Sequence, residues 1–76
     1  MQNQDEISIF CQNIKMLRRK NGLSQKEMAK VLGIGVISLT KIEQGITQPR
    51  IGVDVVFRLS QKFNIKPHEL FTPLFE

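Results

Sequence analysis

Residues 23–45 read LSQKEMAKVLGIGVISLTKIEQG. Ser24 and Glu27 form the S-x-x-E pattern of a capping box, in which the serine hydroxyl and the glutamate carboxylate each accept from a backbone N–H group. This pattern predicts that a helix begins directly after Ser24. Gly33 is the residue type that commonly ends helices, so we expect this helix to stop after about two turns.

The next segment, about 36–44, is rich in β-branched residues and resembles a buried strand on local propensity alone. Read as a helix, however, it places Leu39 and Ile42 three residues apart on one inward face. Two short helices joined by a glycine-containing turn are the components of a helix-turn-helix. We therefore interpret the segment as the second helix of that motif.

The rest of the chain also shows helical periodicity. Apolar residues recur at three- and four-residue spacing from Ile7 to Lys20 and from about Val53 to Phe63, and Pro67 can open a short helix over residues 67–71. The apolar stripes are Ile7, Phe10, Ile14 and Leu17 in the first of these helices and Val53, Val56, Leu59 and Phe63 in the second. We predict an all-α chain of five short helices that forms a single domain over residues 1–76, with the motif at about 24–44.

Composition favours an ordinary intracellular domain. Cys11 is the only cysteine, so no internal disulfide is possible, and its place in a helical apolar pattern suits a buried structural role better than a redox or metal thiol. No apolar run approaches the ~20 residues of a membrane span, and the first residues lack the basic region of a signal peptide. We expect a cytoplasmic protein.

Positive charge is concentrated in the middle of the chain. The net charge is +4, but residues 15–50 hold eight basic and two acidic residues, a difference of +6. A basic segment of this kind indicates a polyanionic partner, most simply nucleic acid, although a solvated basic face would have the same composition.

The sequence of residues 23–45 closely resembles the lambda-repressor-like family (Cro/repressor or XRE type) of phage and bacterial DNA-binding proteins. That family has the pattern L-S/T-Q-x-E-L-A-x-x-L-G-V-S, followed by a helix that ends in I-x-x-x-E-x-G. The positions that fall on it are Leu23, Ser24, Gln25, Glu27, Met28, Ala29, Leu32, Gly33, Ile34, Ile42, Glu43 and Gly45. The resemblance extends over about residues 8–71. It implies a compact five-helix domain whose third helix enters the major groove of double-stranded DNA.

Several residue roles follow from the resemblance. Gln25 would contact a DNA phosphate at the start of helix 2, where backbone N–H groups already favour an anion, or it would be only an exposed first-turn residue. Arg18 and Glu43 would pair and tie helix 3 to helix 1.

The expected base-reading residues depart from the family pattern. The stripe facing the groove is Val36, Ile37, Thr40 and Lys41, whereas family members place polar residues at the first two positions. Val36 and Ile37 can pack on thymine methyl groups, or they can form a protein-facing apolar patch. Thr40 and Lys41 are the polar candidates for contacts with base edges.

Polar residues around this helix are candidates for phosphate contacts. They are Gln25, Gly35, Ser38, Gln44, Thr47, Gln48 and Arg50. Gly35 stands where the family usually has Ser or Thr as helix cap, and glycine there lets a phosphate approach closely.

The C-terminal part carries more apolar surface than the core stripes need. Val55, Phe57, Phe71, Leu74 and Phe75 are candidates for a homodimer interface, with residues 64–76 as a possible dimerisation segment. Alternatively, Leu74 and Phe75 fold back on the domain's own core.

The function that these features favour is sequence-specific DNA binding by a transcriptional regulator, a repressor that acts as a homodimer. The alternative is a protein-interaction module on the same fold, such as an antitoxin or an adaptor, in which Val36 and Ile37 face a protein. An enzyme is not expected, because His68 is the only histidine and lacks a catalytic constellation. No cofactor, metal site or small-molecule ligand is implied.

Overall fold

The computed structural model describes residues 6–46 and 52–75. Within these ranges the chain is all-helical, with no strand, and its elements in chain order are α1 (Glu6–Lys20), α2 (Gln25–Leu32), α3 (Val36–Glu43), α4 (Val53–Phe63) and a 3₁₀ helix (Pro67–Phe71). The fifth predicted helix is therefore not an α-helix. Its backbone bonds, Glu69 N–H to Lys66 O and Thr72 N–H to Glu69 O, span three residues, as a single tight turn requires.

The core lies where the five helices meet, and each of them contributes at least one buried apolar side chain to it. α1 packs on α3 and on the 3₁₀ helix, while α2 packs on both α3 and α4. The buried apolar residues are Phe10, Cys11, Ile14, Leu17, Met28, Ala29, Leu32, Leu39, Ile42, Val55, Leu59 and Leu70. Helices of eight residues are marginal alone, so this shared core is what stabilises α2 and α3.

The α2–turn–α3 unit forms as the local signals predict. Ser24 Oγ accepts from the Glu27 N–H at 3.0 Å, and the Glu27 carboxylate accepts from the Ser24 N–H at 2.8 Å. Gly33 ends α2 with φ of 73°, a left-handed conformation that glycine adopts without a steric penalty. Gly35 then caps α3 in an extended conformation without a side-chain hydrogen bond.

The apolar face of α4 differs from the predicted stripe at its first residue, whereas Leu59 is buried and Val56 and Phe63 pack on the core as predicted. Val55 is 8% exposed and belongs to the core, whereas Val53 is 67% exposed. Valines at 53, 55 and 56 are compatible with either face at a period of 3.6 residues, and packing against α2 and the 3₁₀ helix selects the face that contains Val55. Ile7, in the predicted stripe of α1, is also exposed.

The C-terminal residues pack on the chain's own core. The Phe71 ring stacks on Phe10 with centroids 4.8 Å apart, and Leu74 and Phe75 are half-buried against the core. The Lys20 ammonium lies 5.3 Å from the centre of the Phe75 ring. Four of the five residues considered for a dimer interface (Val55, Phe71, Leu74 and Phe75) therefore have intramolecular packing partners, and only Phe57 is well exposed.

None of the helices in the described part of the chain is long and apolar enough to cross a bilayer.

Candidate nucleic-acid interface

The outer face of α3 carries the four residues expected to read bases. Leu39 and Ile42 point into the core and so determine which side of the helix faces outward. Ile37 is 74% exposed and Val36 41% exposed, Lys41 is exposed, and Thr40 is half-buried. Residues 36, 37, 40 and 41 lie on one side of a helix, so these side chains form a single stripe, which we call the α3 stripe.

An ion pair attaches α3 to α1. Arg18 Nε lies 2.7 Å from Glu43 Oε2 and Arg18 Nη2 lies 3.0 Å from Glu43 Oε1, so the contact is bidentate. The Glu43 side chain is 4% exposed and the Arg18 side chain 15% exposed. Arg18 Nη1 also donates to the carbonyl of Leu23, just before α2. The guanidinium therefore holds α1, the start of α2 and the end of α3 together, and Glu43 faces protein rather than solvent.

Gln25, the first residue of α2, joins the same network. Its amide nitrogen donates to Glu43 Oε1 at 3.1 Å, and its amide oxygen lies 3.4 Å from Thr40 Oγ1. The Thr40 hydroxyl lies 2.9 Å from the backbone carbonyl of Val36 one turn earlier. A continuous chain of polar contacts thus runs from Arg18 through Glu43 and Gln25 to Thr40 on the α3 stripe.

The two ends of α3 hold three of the residues expected to contact phosphates. Gly35 caps its N-terminus, Ser38 lies in the first turns, and Gln44 caps its C-terminus. All three are exposed. Thr47, Gln48 and Arg50 were expected to contact phosphates in the following loop, and they lie outside the described residues.

The capping box at the start of α2 affects ionisation as well as geometry. Hydrogen bonds from the Ser24 backbone and side chain hold the pKa of Glu27 below its usual value, because they favour the charged carboxylate. Glu27 is fully exposed. This carboxylate therefore stays ionised at the N-terminus of α2.

Sequence reasoning identified the Arg18 and Glu43 pair but missed the link from Glu43 to Gln25 and the contact of Gln25 with Thr40. Nothing in the spacing of these residues indicates contact, since 18 residues separate Gln25 from Glu43 and they lie in different helices. The helix-turn-helix motif could have indicated this contact. Gln25 begins α2 and Glu43 ends α3, and the packing of the two helices brings these ends together.

Residues able to hold a metal ion are not grouped in this region. Within residues 6–46 and 52–75, no three His, Cys, Asp or Glu side chains are close enough to bind one. The site offers hydrogen-bond donors, acceptors, methyl groups and positive charge, which are the groups used in binding nucleic acids.

Comparison with known proteins agrees with this geometry. The model of a protein family described as helix-turn-helix matches residues 14–70, which include all of α2 and α3. The antitoxin PezA of Streptococcus pneumoniae is 36% identical to this chain over 53 residues, which cover 70% of this chain and 32% of PezA. The chain thus spans about a third of the length of that relative. No solved structure gives a significant match. Because the family model matches most of the chain and includes the whole α2–turn–α3 unit, the chain belongs to the lambda-repressor-like helix-turn-helix family.

Proposed function

We propose that this chain is a sequence-specific regulator of transcription, a repressor that inserts α3 into the major groove of double-stranded DNA. The observation that carries the proposal is the α3 stripe, an exposed face on a helix that the Arg18–Glu43 pair fixes to the scaffold. A reading surface must be rigid, because base contacts depend on placement to a fraction of an ångström. The family is one of DNA-binding regulators rather than enzymes. We expect this chain to act in the cytoplasm.

The chemistry of the stripe suggests how bases are read. Val36 and Ile37 present only methyl and methylene groups, which suit the C5-methyl group of thymine. Lys41 is exposed and can reach guanine O6 and N7 or a phosphate. We therefore propose that the site contains A·T pairs opposite the first turn of α3 and that Lys41 contributes at a neighbouring position.

Phosphate contacts would hold the helix in register. The Gln25 amide has two N–H groups and its contact with Glu43 uses one, which leaves the other for a phosphate oxygen. We propose that Gln25, Gly35, Ser38 and Gln44 flank the groove in this way, together with Thr47, Gln48 and Arg50 of the loop that follows.

We further propose that two copies bind DNA together. The exposed apolar residues of α4 are Val53, 67% exposed, and Phe57, 53% exposed, and they lie one turn apart on the same side. A two-fold axis that passes near Phe57 and is perpendicular to α4 would run two α4 helices antiparallel, with Phe57 of one copy against Phe57 of the other. Such a dimer would present two α3 helices to a near-palindromic DNA site.

A second candidate function has its own support. The relative PezA is named an antitoxin, and Ile37, which is 74% exposed, is an apolar side chain that can form no hydrogen bond with a base. In that alternative, the same fold is a protein-interaction module, an antitoxin or adaptor, and Val36 and Ile37 contact a protein partner.

Fluorescence anisotropy separates the two candidates. The chain is titrated into mixed-sequence duplexes and into duplexes recovered by site selection, at about 50 mM and about 200 mM salt. The regulator should bind both sets at low salt, lose affinity steeply at higher salt, and prefer the selected set. An absence of duplex binding at the lower salt concentration would contradict the proposed function and favour the protein-interaction module.

Paired lysine variants test the role of the α3 stripe. Lys41→Ala should change the preferred base at one position of the selected site as well as weaken binding. Lys62→Ala removes the same charge from the last turn of α4, beside Val31 and Arg58, and should leave the base preference intact. Equal, sequence-independent losses in the two variants would refute base reading by Lys41.

A further inference from the structure

The hydrogen-bond chain that ends at Thr40 has a direction that the chemistry of its members determines. Arg18 can only donate, and the Glu43 carboxylate that it contacts can only accept. The Gln25 group that faces Glu43 must therefore be the amide nitrogen, which donates at 3.1 Å. Because the two ends of an amide are opposite in character, the oxygen of Gln25 faces Thr40.

The Thr40 hydroxyl is consequently placed between two acceptors. The Val36 carbonyl lies 2.9 Å away and the Gln25 amide oxygen 3.4 Å away, and the hydroxyl has one proton to donate. Whichever oxygen receives the proton, it points into the protein. The lone pairs of Oγ1 are left for a ligand that approaches the α3 stripe.

We infer that Thr40 acts toward DNA only as a hydrogen-bond acceptor and so selects a base that presents an amino group in the major groove. Adenine presents its N6 amino group there and cytosine its N4 amino group, whereas thymine presents only acceptor O4 and guanine only acceptors O6 and N7. This inference rests on the proposed function, in which the α3 stripe faces the groove. It adds a specificity-determining role for Thr40.

Reversing the polarity of Thr40 would be costly in this setting. Turning the proton toward the groove would leave the hydroxyl lone pairs facing the oxygens of Gln25 and Val36, with no proton between them. Rotating the Gln25 amide to relieve this repulsion would turn its oxygen toward the Glu43 carboxylate, which is held by Arg18. The Val36 carbonyl and the Gln25 oxygen, which the ion pair orients through Glu43, thus together set the hydrogen-bonding character of Thr40.

The test is site selection from a randomised duplex library with the wild-type chain, Thr40→Val and Thr40→Ser. Valine has nearly the same shape as threonine without the hydroxyl, and serine keeps the hydroxyl without the methyl group. We expect one position of the wild-type site to favour adenine or cytosine. That preference should disappear with Thr40→Val and persist with Thr40→Ser. Circular dichroism checks that each variant is folded, and Thr40→Ala replaces the valine variant if it is not.

A base analogue then tests the amino group directly. The favoured adenine is replaced by the purine that lacks the N6 amino group, or the favoured cytosine by the pyrimidine that lacks the N4 amino group. The wild-type chain should lose about three- to tenfold in affinity, the size expected for one hydrogen bond. Thr40→Val should not distinguish the natural base from its analogue.

The remaining outcomes separate this inference from the function on which it rests. A Thr40-dependent preference for thymine or guanine would mean that the hydroxyl donates, and it would overturn the inference alone. A selected site that is identical for the wild type and Thr40→Val would do the same, because DNA reading would then proceed without Thr40. Failure of the wild-type chain to select any site would overturn sequence-specific binding itself and the role of Thr40 with it.

Discussion

Asn13, the buried polar residue among those that the structure describes, connects α1 to the C-terminal segment. It is 4% exposed, and its side-chain nitrogen donates to the carbonyls of Leu70 and Thr72, both at 2.8 Å. Its side-chain oxygen accepts from the Leu74 N–H at 3.4 Å. One amide on α1 thus satisfies three backbone groups of the C-terminal segment, which would otherwise be poorly paired beside the core.

Replacement of Asn13 tests this role. Asn13→Ala should lower the free energy of unfolding by about 1–3 kcal/mol, because the variant leaves partly buried carbonyls without a donor. Urea denaturation followed by circular dichroism measures the change. Gln12→Ala is the matched control, since Gln12 is the exposed neighbour on the same helix, and it should stay within about 0.5 kcal/mol of the wild type. Equal stability of the two variants would contradict the structural role of Asn13.

At the scale of elements, α2 and α3 depend on caps and on each other. Each is eight residues long, too short to be stable alone. The capping box supplies α2 with reciprocal hydrogen bonds, while α3 has only Gly35 as its cap and no side-chain hydrogen bond there. The Arg18–Glu43 pair and the Leu39 and Ile42 side chains therefore have the larger part in holding α3.

The capping box should make the stability of α2 depend on pH. The pKa of Glu27 is lowered in the folded chain, chiefly by the Ser24 hydrogen bonds, so the unfolded chain binds more protons where the two states titrate. The stabilisation from Glu27 is therefore present above its unfolded-state pKa and is lost as the pH falls through the folded-state value.

Comparison of the wild type with Glu27→Gln measures this dependence. Glutamine can still accept from the Ser24 N–H but does not titrate in this range. The melting temperature of the wild type should exceed that of Glu27→Gln near neutral pH, and the difference should shrink as the pH falls below the usual carboxyl range. A difference that stays constant down to pH values below that range would contradict the role assigned to the charged carboxylate.

At the scale of the whole molecule, the core is small, and the exposed apolar side chains of the described residues include two pairs that each share one helix face. One is the pair Val36 and Ile37 on α3, and the other is the pair Val53 and Phe57 on α4. They lie on different helices, so under the proposed function the first pair faces DNA and the second pair faces a second copy.

Phe57→Glu tests the proposed dimer. A charged side chain on a two-fold axis would meet its own copy, so we expect a monomer by sedimentation equilibrium and weaker binding to a two-half-site DNA than the wild type shows. Ile7→Glu is the control, because Ile7 is also an exposed apolar residue but lies on α1, away from the proposed interface. A wild-type chain that sediments as a monomer at every concentration, or a Phe57→Glu chain that still forms dimers, would contradict this interface.

Local signals were sufficient for most of the helix boundaries and for the motif. The Ser24 and Glu27 capping box and Gly33 act over a few residues, and α2 begins and ends where they predict. The spacing of Leu39 and Ile42 predicts the inward face of α3, which ends at Glu43, one residue before the predicted end. The pairing partner of Arg18 was available only through the resemblance to a known family. Helical periodicity placed Val56, Leu59 and Phe63 on the core side of α4 but could not decide between Val53 and Val55.

The sequence by itself therefore determined the order and approximate positions of the helices and the residues of the α3 stripe, since caps and apolar spacing are patterns within one helix or one turn. Only the tertiary structure decided that Val55 rather than Val53 is buried, that Asn13 holds the C-terminal segment, and that a connected series of polar contacts runs from Arg18 to Thr40. Each of these depends on side chains far apart in the chain meeting across helices, and a hydrogen bond acquires its direction only when donor and acceptor are brought within reach.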